Sequence, residues 1–494
     1  MKKINLIVIA SLMVAALNSC KKSTPDVSTP APPTPVVIVP VVPSVGTLFV
    51  APSPGNLSTV EHIKESEDYV VEVKKSGETT YTKVFVYKTD NYFKVNPFNI
   101  AARPQAAASF ANFSFSGTSV DVRITSNSAV NSATIRPLNF GVNFQRTANV
   151  ITFTLDVPRK LSIEFNNRNN PLFLFADAPD VPNTSATYYY GPGVHNIGRK
   201  KAISSGQSVY IAAGAVVEGS FSIAYGAQNV KIGGRGVVSN GEWEFPPSLG
   251  YSDMQNQSTI RNQGSNNTII EGIIIANSTG WTLQMESYDG TITNAQYKNL
   301  KIINWNISTD GIWFDGINTI VDDCFIFNND DILTTHQSTN CKISNMVVWG
   351  GTYGNLFMQS SYKSSDGIVY ENINMIGKDG GKSLIEVQTG TGAKISINNV
   401  TFKNMRIEEH LKTATNFPKK FLFIVPQSQD MNNWIFENVT IDDKNPDEGD
   451  IYGTANSLIN GITFRNLKMG GAKVMSLTEA NMDINGFVSN VRFE

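Results

Sequence analysis

Between Ile269 and Met469 the chain repeats a short unit in which apolar residues alternate around one small bend residue. The units are Ile269-Ile-Glu-Gly272-Ile-Ile-Ile, Lys301-Ile-Ile-Asn304-Trp-Asn-Ile, Ile320-Val-Asp-Asp323-Cys-Phe-Ile, Lys342-Ile-Ser-Asn345-Met-Val-Val, Val369-Tyr-Glu-Asn372-Ile-Asn-Met, Thr401-Phe-Lys-Asn404-Met-Arg-Ile, Ile435-Phe-Glu-Asn438-Val-Thr-Ile and Thr463-Phe-Arg-Asn466-Leu-Lys-Met. Six of the eight carry Asn at the bend. Asn tolerates left-handed backbone, and its amide can bond to the same residue one turn away. The bends are 19 to 34 residues apart, with no long helical period between them. One coil of three short strands with loops of variable length fits that interval, whereas propeller blades run to about 40 to 50 residues with antiparallel strands.

Upstream, Tyr69-Val-Val-Glu-Val-Lys, Tyr81-Thr-Lys-Val-Phe-Val-Tyr, Ser119-Val-Asp-Val-Arg-Ile and Ala148-Asn-Val-Ile-Thr-Phe-Thr-Leu alternate with period two between turn signals. That is the pattern of an antiparallel sandwich. The predicted fold is therefore all-β: an N-terminal β-sandwich over residues 47–190, then a right-handed parallel β-helix over 191–494. No catalytic cluster stands out in the sandwich, whose functional alternative is a carbohydrate-binding module with an aromatic platform.

The first 19 residues join Lys2 and Lys3 to an apolar run and end in Leu17-Asn18-Ser19-Cys20. The run is shorter than the roughly 20 residues that span a bilayer, so it predicts a lipoprotein signal with acylation at Cys20. Residues 20–46, rich in Pro, Ser, Thr and Val, then form an extended linker. A secreted, monomeric protein tethered to a bacterial membrane face, at the outer membrane, the cell surface or in the periplasm, is expected. With a net charge of −2, the chain has no basic field for nucleic acid. Cys324 and Cys341 show no metal-ligand spacing and are read as buried free thiols; no metal or cofactor is expected.

Asp322 and Asp323 occupy the repeat's own bend and are explained by it. Asp310 lies six positions after the bend residue Asn304, while Asp330 and Asp331 lie seven and eight after Asp323. Neighbouring coils are about 4.8 Å apart, so these three carboxylates should share one face. In the next coil the matching positions are read as Gly351, Thr352 and Tyr353, which confines the acidity to two coils. Stacked like charges raise at least one pKa, as a general acid near neutral pH requires, and leave another carboxylate to activate water. Trp281, Trp313, Trp349, Tyr353, Gln359 and Tyr362 are candidates to hold sugar rings and hydroxyls, with His336 at the cleft edge.

Thr309-Asp310-Gly311, Asn329-Asp330-Asp331-Ile-Leu, Val347-Val-Trp349, Met358-Gln359, Val209-Tyr-Ile-Ala-Ala-Gly-Ala-Val-Val-Glu-Gly and Gly470-Gly471-Ala-Lys-Val together resemble glycoside hydrolase family 49, the dextranases and isopullulanases. The resemblance spans about residues 160 to 494 and implies an inverting hydrolase of α-glucans, dextranase-like on an α-1,6-glucan. It implies Asp330 as general acid, with Asp310 and Asp331 holding the attacking water. Thr334 and Thr335 depart from it, standing where the family is expected to carry a basic and an aromatic residue. The polygalacturonases share the DG and DD motifs but add Gly-His-Gly and Arg-x-Lys after them; here the corresponding stretch is Gly350-Gly-Thr-Tyr-Gly354, and none of Arg406, Arg465 and Arg492 stands in Arg-x-Lys. A lyase on the same fold would need Ca²⁺ or a base beside a cation, for which Lys363 and Lys382 are available but isolated; a non-catalytic glycan-binding surface lipoprotein is the third alternative.

Overall fold

The computed structural model describes residues 46–92, 102–243, 257–286, 292–360, 362–380, 382–387, 394–410, 419–442 and 446–494. The signal segment, Cys20 and the linker as far as Val45 lie outside them. Strands dominate, and the described helical structure is a single three-residue 3₁₀ turn, Leu138–Phe140.

Thr47 to Asp177 build two sheets of seven and five strands, paired antiparallel except where Leu172–Asp177 runs parallel to Ala107–Ser116. The alternation in Tyr69–Lys75 and Val120–Ser126 places Val71, Val73, Val120, Val122 and Ile124 in the shared interior. From Tyr188 onward the strands wind into a parallel β-helix of three main sheets. The first stacks Ser208–Ile211, Lys231–Gly234, Ile269–Glu271 and their successors; the second begins with Gly193–Asn196 on Ala215–Glu218. The third includes Ile260–Gln263, Leu283–Glu286, Ile312–Phe314, Leu333–Thr335, Phe357–Gln359 and Ile385–Val387.

Equivalent interior residues lie on top of one another, because the coil spacing equals the strand spacing. Tyr370, Phe402, Phe436, Phe464 and Phe493 form one such column, with ring centroids 4.7, 4.9, 5.0 and 4.8 Å apart. Asn345, Asn372, Asn404, Asn438 and Asn466 form the expected ladder, each amide donating to the coil before it, and all have φ between 53° and 58°.

Three features differ from the sequence reading. The bend residue of the second coil is Asn299 (φ 52°), not Asn304, since Lys298 pairs with Asp322 and Lys301 with Phe325. Asn304 lies one bend further on, buried, accepting from Ser278 N at 2.9 Å and donating to Thr282 Oγ1 at 2.6 Å. A second ladder, Asn229, Asn267, Asn294, Asn318 and Asn340, lines another corner. The matching positions in the third coil are Gly354 and Asn355, because Leu333 pairs with Phe357.

The sandwich and the helix bury one apolar seam. Phe110, Phe173 and Phe175 pack on Trp305, Phe325, Phe327 and Trp349, and each such burial contributes about 1.5–3 kcal/mol. Charges crossing this seam are paired: Lys301 Nζ reaches Asp177 at 2.7 Å, and the fully buried Arg103 reaches Asp379 at 2.8 Å. The described residues accordingly form one compact unit.

Candidate active site

The third sheet alternates like the rest, so its inward residues Ile312, Leu333, Phe357 and Ile385 enter the core. Gln284, Trp313, Thr334, Met358 and Glu386 then share the opposite, outward face. The carboxylates stand where the chain turns into this sheet. Eight residues (304–311) precede Ile312, against five (328–332) before Leu333. The longer loop takes up three of the five residues between Asn299 and Asn304, and Asp310 stacks on Asp331: Gly311 N donates to Asp331 O at 2.8 Å. Gly311 is required there, because a Cβ would lie 2.7 Å from Ile332 O.

Asp310, Asp330 and Asp331 each bring one oxygen within 4.8 Å of the others, and all three are largely buried. Asp330 Oδ2 accepts from Ser308 N and Oδ1 from Asp331 N at 2.8 Å. Asp331 Oδ1 accepts twice from Asn355, at 2.5 Å from N and 2.9 Å from Nδ2, which favours its ionised form. Asp310 takes a 3.3 Å bond from Thr334 Oγ1, so the residue that departs from the family pattern sits against the acid cluster.

Burial first, then the charges of Asp330 and Asp331, hold the Asp310 carboxyl well above the usual carboxylate range. Burial and then Asp331 push Asp330 up to about 6, against the opposing pull of Lys382. Asp331 is raised by burial, an effect that Lys382 and the Asn355 bonds oppose. Three carboxyls this close titrate as a unit and share a proton between them. The cluster's spacing would also suit a cation, but Lys382 already supplies positive charge. Burial works against that charge, and Asp331, Glu386, Tyr353 and Asp330 outweigh it, keeping Lys382 protonated. Its Nζ lies 4.7 Å from the centre of the Tyr353 ring. Lys382 is thus not isolated, a correction that required the fold, because 51 residues separate it from Asp331 in the chain.

A raised pKa in the folded state means that Asp310 carries a cost to folding that grows as pH rises from the ordinary carboxylate pKa toward the folded value and is fully present above it. Below the ordinary carboxylate pKa of about 4 that cost is absent. Asp310→Asn should therefore melt at a higher temperature than wild type at pH 8, with the gap closing toward pH 3. Identical melting temperatures across that range would contradict the electrostatic reading.

The aromatic candidates divide. Trp313 lies on the outward face, covered by Trp281 (centroids 5.3 Å, edge-on) and His336 (4.2 Å). His336 stacks on the 40% exposed Tyr362 at 5.0 Å and 5°. Burial lowers the His336 pKa to about 3, so it presents a neutral ring. Tyr353 joins the cluster through Lys382. Two other candidates are corrected. Trp349 is fully buried in the seam, donates to Asp379 at 3.0 Å and lies 3.8 Å from Arg168, on the face turned toward the sandwich. Gln359 pairs with Thr335 and Val387 on the inward side and lies 3.5 Å from Ser365 Oγ.

Behind the acids sits a support that motif reading missed. Arg103 donates to Asn328 O at 2.8 Å, and its guanidinium lies 3.5 Å from the Phe327 ring centre. Lys378, wholly buried, donates to Gly351 O at 2.8 Å, and burial lowers it to about 7. Both contacts fix backbone on either side of the Asp330–Asp331 loop. Neither residue belongs to a motif, and only the three-dimensional packing reveals them.

Fold and site together define a β-sandwich fused to a right-handed parallel β-helix, with a three-carboxylate centre on one outward sheet. The structure is similar to that of Dex49A from Penicillium minioluteum, with a TM-score of 0.70 and 18% identity over 90% of this chain and 96% of that one. Weaker likenesses are to a family 28 exopolygalacturonase from Yersinia enterocolitica (TM-score 0.35, 12% identity, 76% and 96% covered) and the catalytic domain of a GH87 α-1,3-glucanase in complex with nigerose (0.38, 13%, 91% and 89%). No protein-family profile and no curated protein sequence matches the chain.

Proposed function

We propose that this protein is a glycoside hydrolase that cleaves α-glucosidic bonds of a neutral polysaccharide, with a dextran-type α-1,6-glucan as substrate. The observation that carries the proposal is the buried trio on the outward sheet, in which burial, and after it the neighbouring like charge, favours a retained proton beside a carboxylate whose ionised form is hydrogen-bonded by Asn355. The sequence resemblance to family 49 supports the choice of α-glucan. Asp330 donates its proton to the leaving oxygen, while Asp331 deprotonates the attacking water, which Asp310 helps to orient. Tyr362, backed by His336 and the buried Trp313, offers ring surface to the sugars, and Tyr353 lines the acid end.

The oxygens within 4.8 Å are closer than the roughly 6.5–9.5 Å usual for an inverting pair. The assignment of inversion therefore rests on the resemblance, with water seated between two members of the trio. The anomer released first, read by proton NMR, decides it: β-glucose ends support inversion and α-ends overturn it. A reducing-sugar screen on dextran, pullulan, polygalacturonate and marine galactans, with wild type and Asp330→Asn, tests the substrate. Cleavage of an anionic polymer alone would defeat the neutral-glucan reading.

A polysaccharide lyase is the second reading, favoured by Lys382 beside the acids. A lysine kept protonated cannot remove a proton, so that reading needs a base elsewhere and predicts an unsaturated product. The pH profile also discriminates. Asp330 must be protonated, so kcat/KM should fall as pH rises through about 6; Asp331 must be ionised, so it should also fall as pH drops toward a value above the ordinary 3.8. A bell centred on the acidic side of neutrality is expected, and a maximum above pH 8 would contradict these roles. Lys2, Lys3, the apolar run and the Leu17-Asn18-Ser19-Cys20 tetrapeptide support a lipid tether at Cys20.

A further inference from the structure

The sandwich has a free concave surface that the cleft does not use. Strand Val150–Leu155 pairs along its full length with Val120–Ser126 on one side. On the other side Gln145–Thr147 pairs only with Val150–Thr152. The remaining edge, Phe153–Leu155, faces the segment around Phe140–Gln145, and a groove of about 680 Å³ lies between them. That volume falls within the roughly 300–1,000 Å³ typical of ligand sites.

Its lining mixes ring and alkyl surface with hydroxyl, amide and carboxylate groups. Phe140 and Phe144 pack one side on the sandwich core and line the groove with the other, and Val157 is 47% exposed. Thr154, Gln145 and Asp156 supply polar atoms. The charges there are largely engaged: Asp121 accepts from Ser76 and Thr154 and pairs with Lys74 at 3.2 Å, while Arg159 lies over the Phe140 ring at 4.4 Å. An anionic polymer would find no excess cation, and a lipid chain would find too many polar groups. A sugar chain presents apolar ring faces edged by hydroxyls, which matches this alternation.

We propose that this groove is a second glycan-binding site, which holds a length of neutral polysaccharide outside the cleft. The choice of ligand rests on the hydrolase reading, but the test separates the two. In the Asp330→Asn background, migration is compared in native gels containing dextran, pullulan or polygalacturonate, with and without Val157→Asp and Asp156→Ala. Both positions are exposed, so the variants should fold, which their melting curves check. Either neutral glucan should retard the parent, and each groove variant should weaken retention by about five- to tenfold. In the active enzyme the same variants should leave kcat on a short soluble oligosaccharide unchanged. Equal retention of parent and variants overturns the groove, as does retention by polygalacturonate alone. Groove-dependent retention by a glucan that wild type never cleaves supports the groove and defeats the hydrolase reading. Cleavage of a glucan that does not retard the parent does the reverse.

Discussion

Asp330→Asn should lower kcat by roughly 10²–10⁴-fold on whichever glucan the wild type opens, the range expected when a general acid is removed. The substitution keeps size and shape, so KM should change little, because the carboxyl is asked to act on the leaving oxygen rather than to hold the sugar. Its oxygens accept from Ser308 N and Asp331 N. An amide can satisfy only one of these, so some loss of order in the loop is expected, and circular dichroism should accompany the kinetics. A substrate with an activated leaving group needs less proton donation, so the defect should shrink on an aryl glucoside that the wild type accepts. Full activity of a folded Asp330→Asn protein on polysaccharide would remove Asp330 from the mechanism.

Gly354→Ala should have the second largest effect, although the side chain it adds is one methyl. A Cβ at 354 would lie 1.9 Å from the Asp330 carbonyl carbon and 2.0 Å from Asp331 N. Both are backbone atoms and cannot swing aside, so the peptide carrying both acids must move. A displacement of about 1 Å at a catalytic group can cost about 10²-fold in rate. The expected result is a loss of that order in kcat, with a lowered melting temperature. Wild-type kcat in Gly354→Ala would show that the acids' placement does not depend on this close approach.

How much of this was legible in the chain varies by element. The inward alternation of Val71, Val73, Val122 and Ile124, and the bends at Asn345 through Asn466, could be read directly, because strand period and bend chemistry are local properties. The trio is legible too, but from a shifted anchor: Asn304 reads as a bend that belongs to Asn299, and the three extra residues of loop 304–311 offset most of that five-residue shift. The second ladder, Asn229 to Asn340, carries the same Asn signal at a second corner of each coil. The aromatic candidates fared unevenly because an aromatic residue in a strand shows its type but not its face. Trp313 and Trp349 both precede or follow apolar neighbours, yet register sends one toward the cleft and the other under the sandwich.

The sequence by itself determined the architecture and the identity of the acids, since repetition fixes a solenoid and two consecutive acidic bends fix where charge collects. Only the tertiary structure decided how the acids are held and charged. Lys382, Lys378, Asn355 and Arg103 act on the acids or on the backbone beside them across chain separations of 24 residues (Asp331 to Asn355) up to 225 (Arg103 to Asn328). Burial and Coulomb interaction depend on distance through space, and no local pattern in the chain encodes that distance.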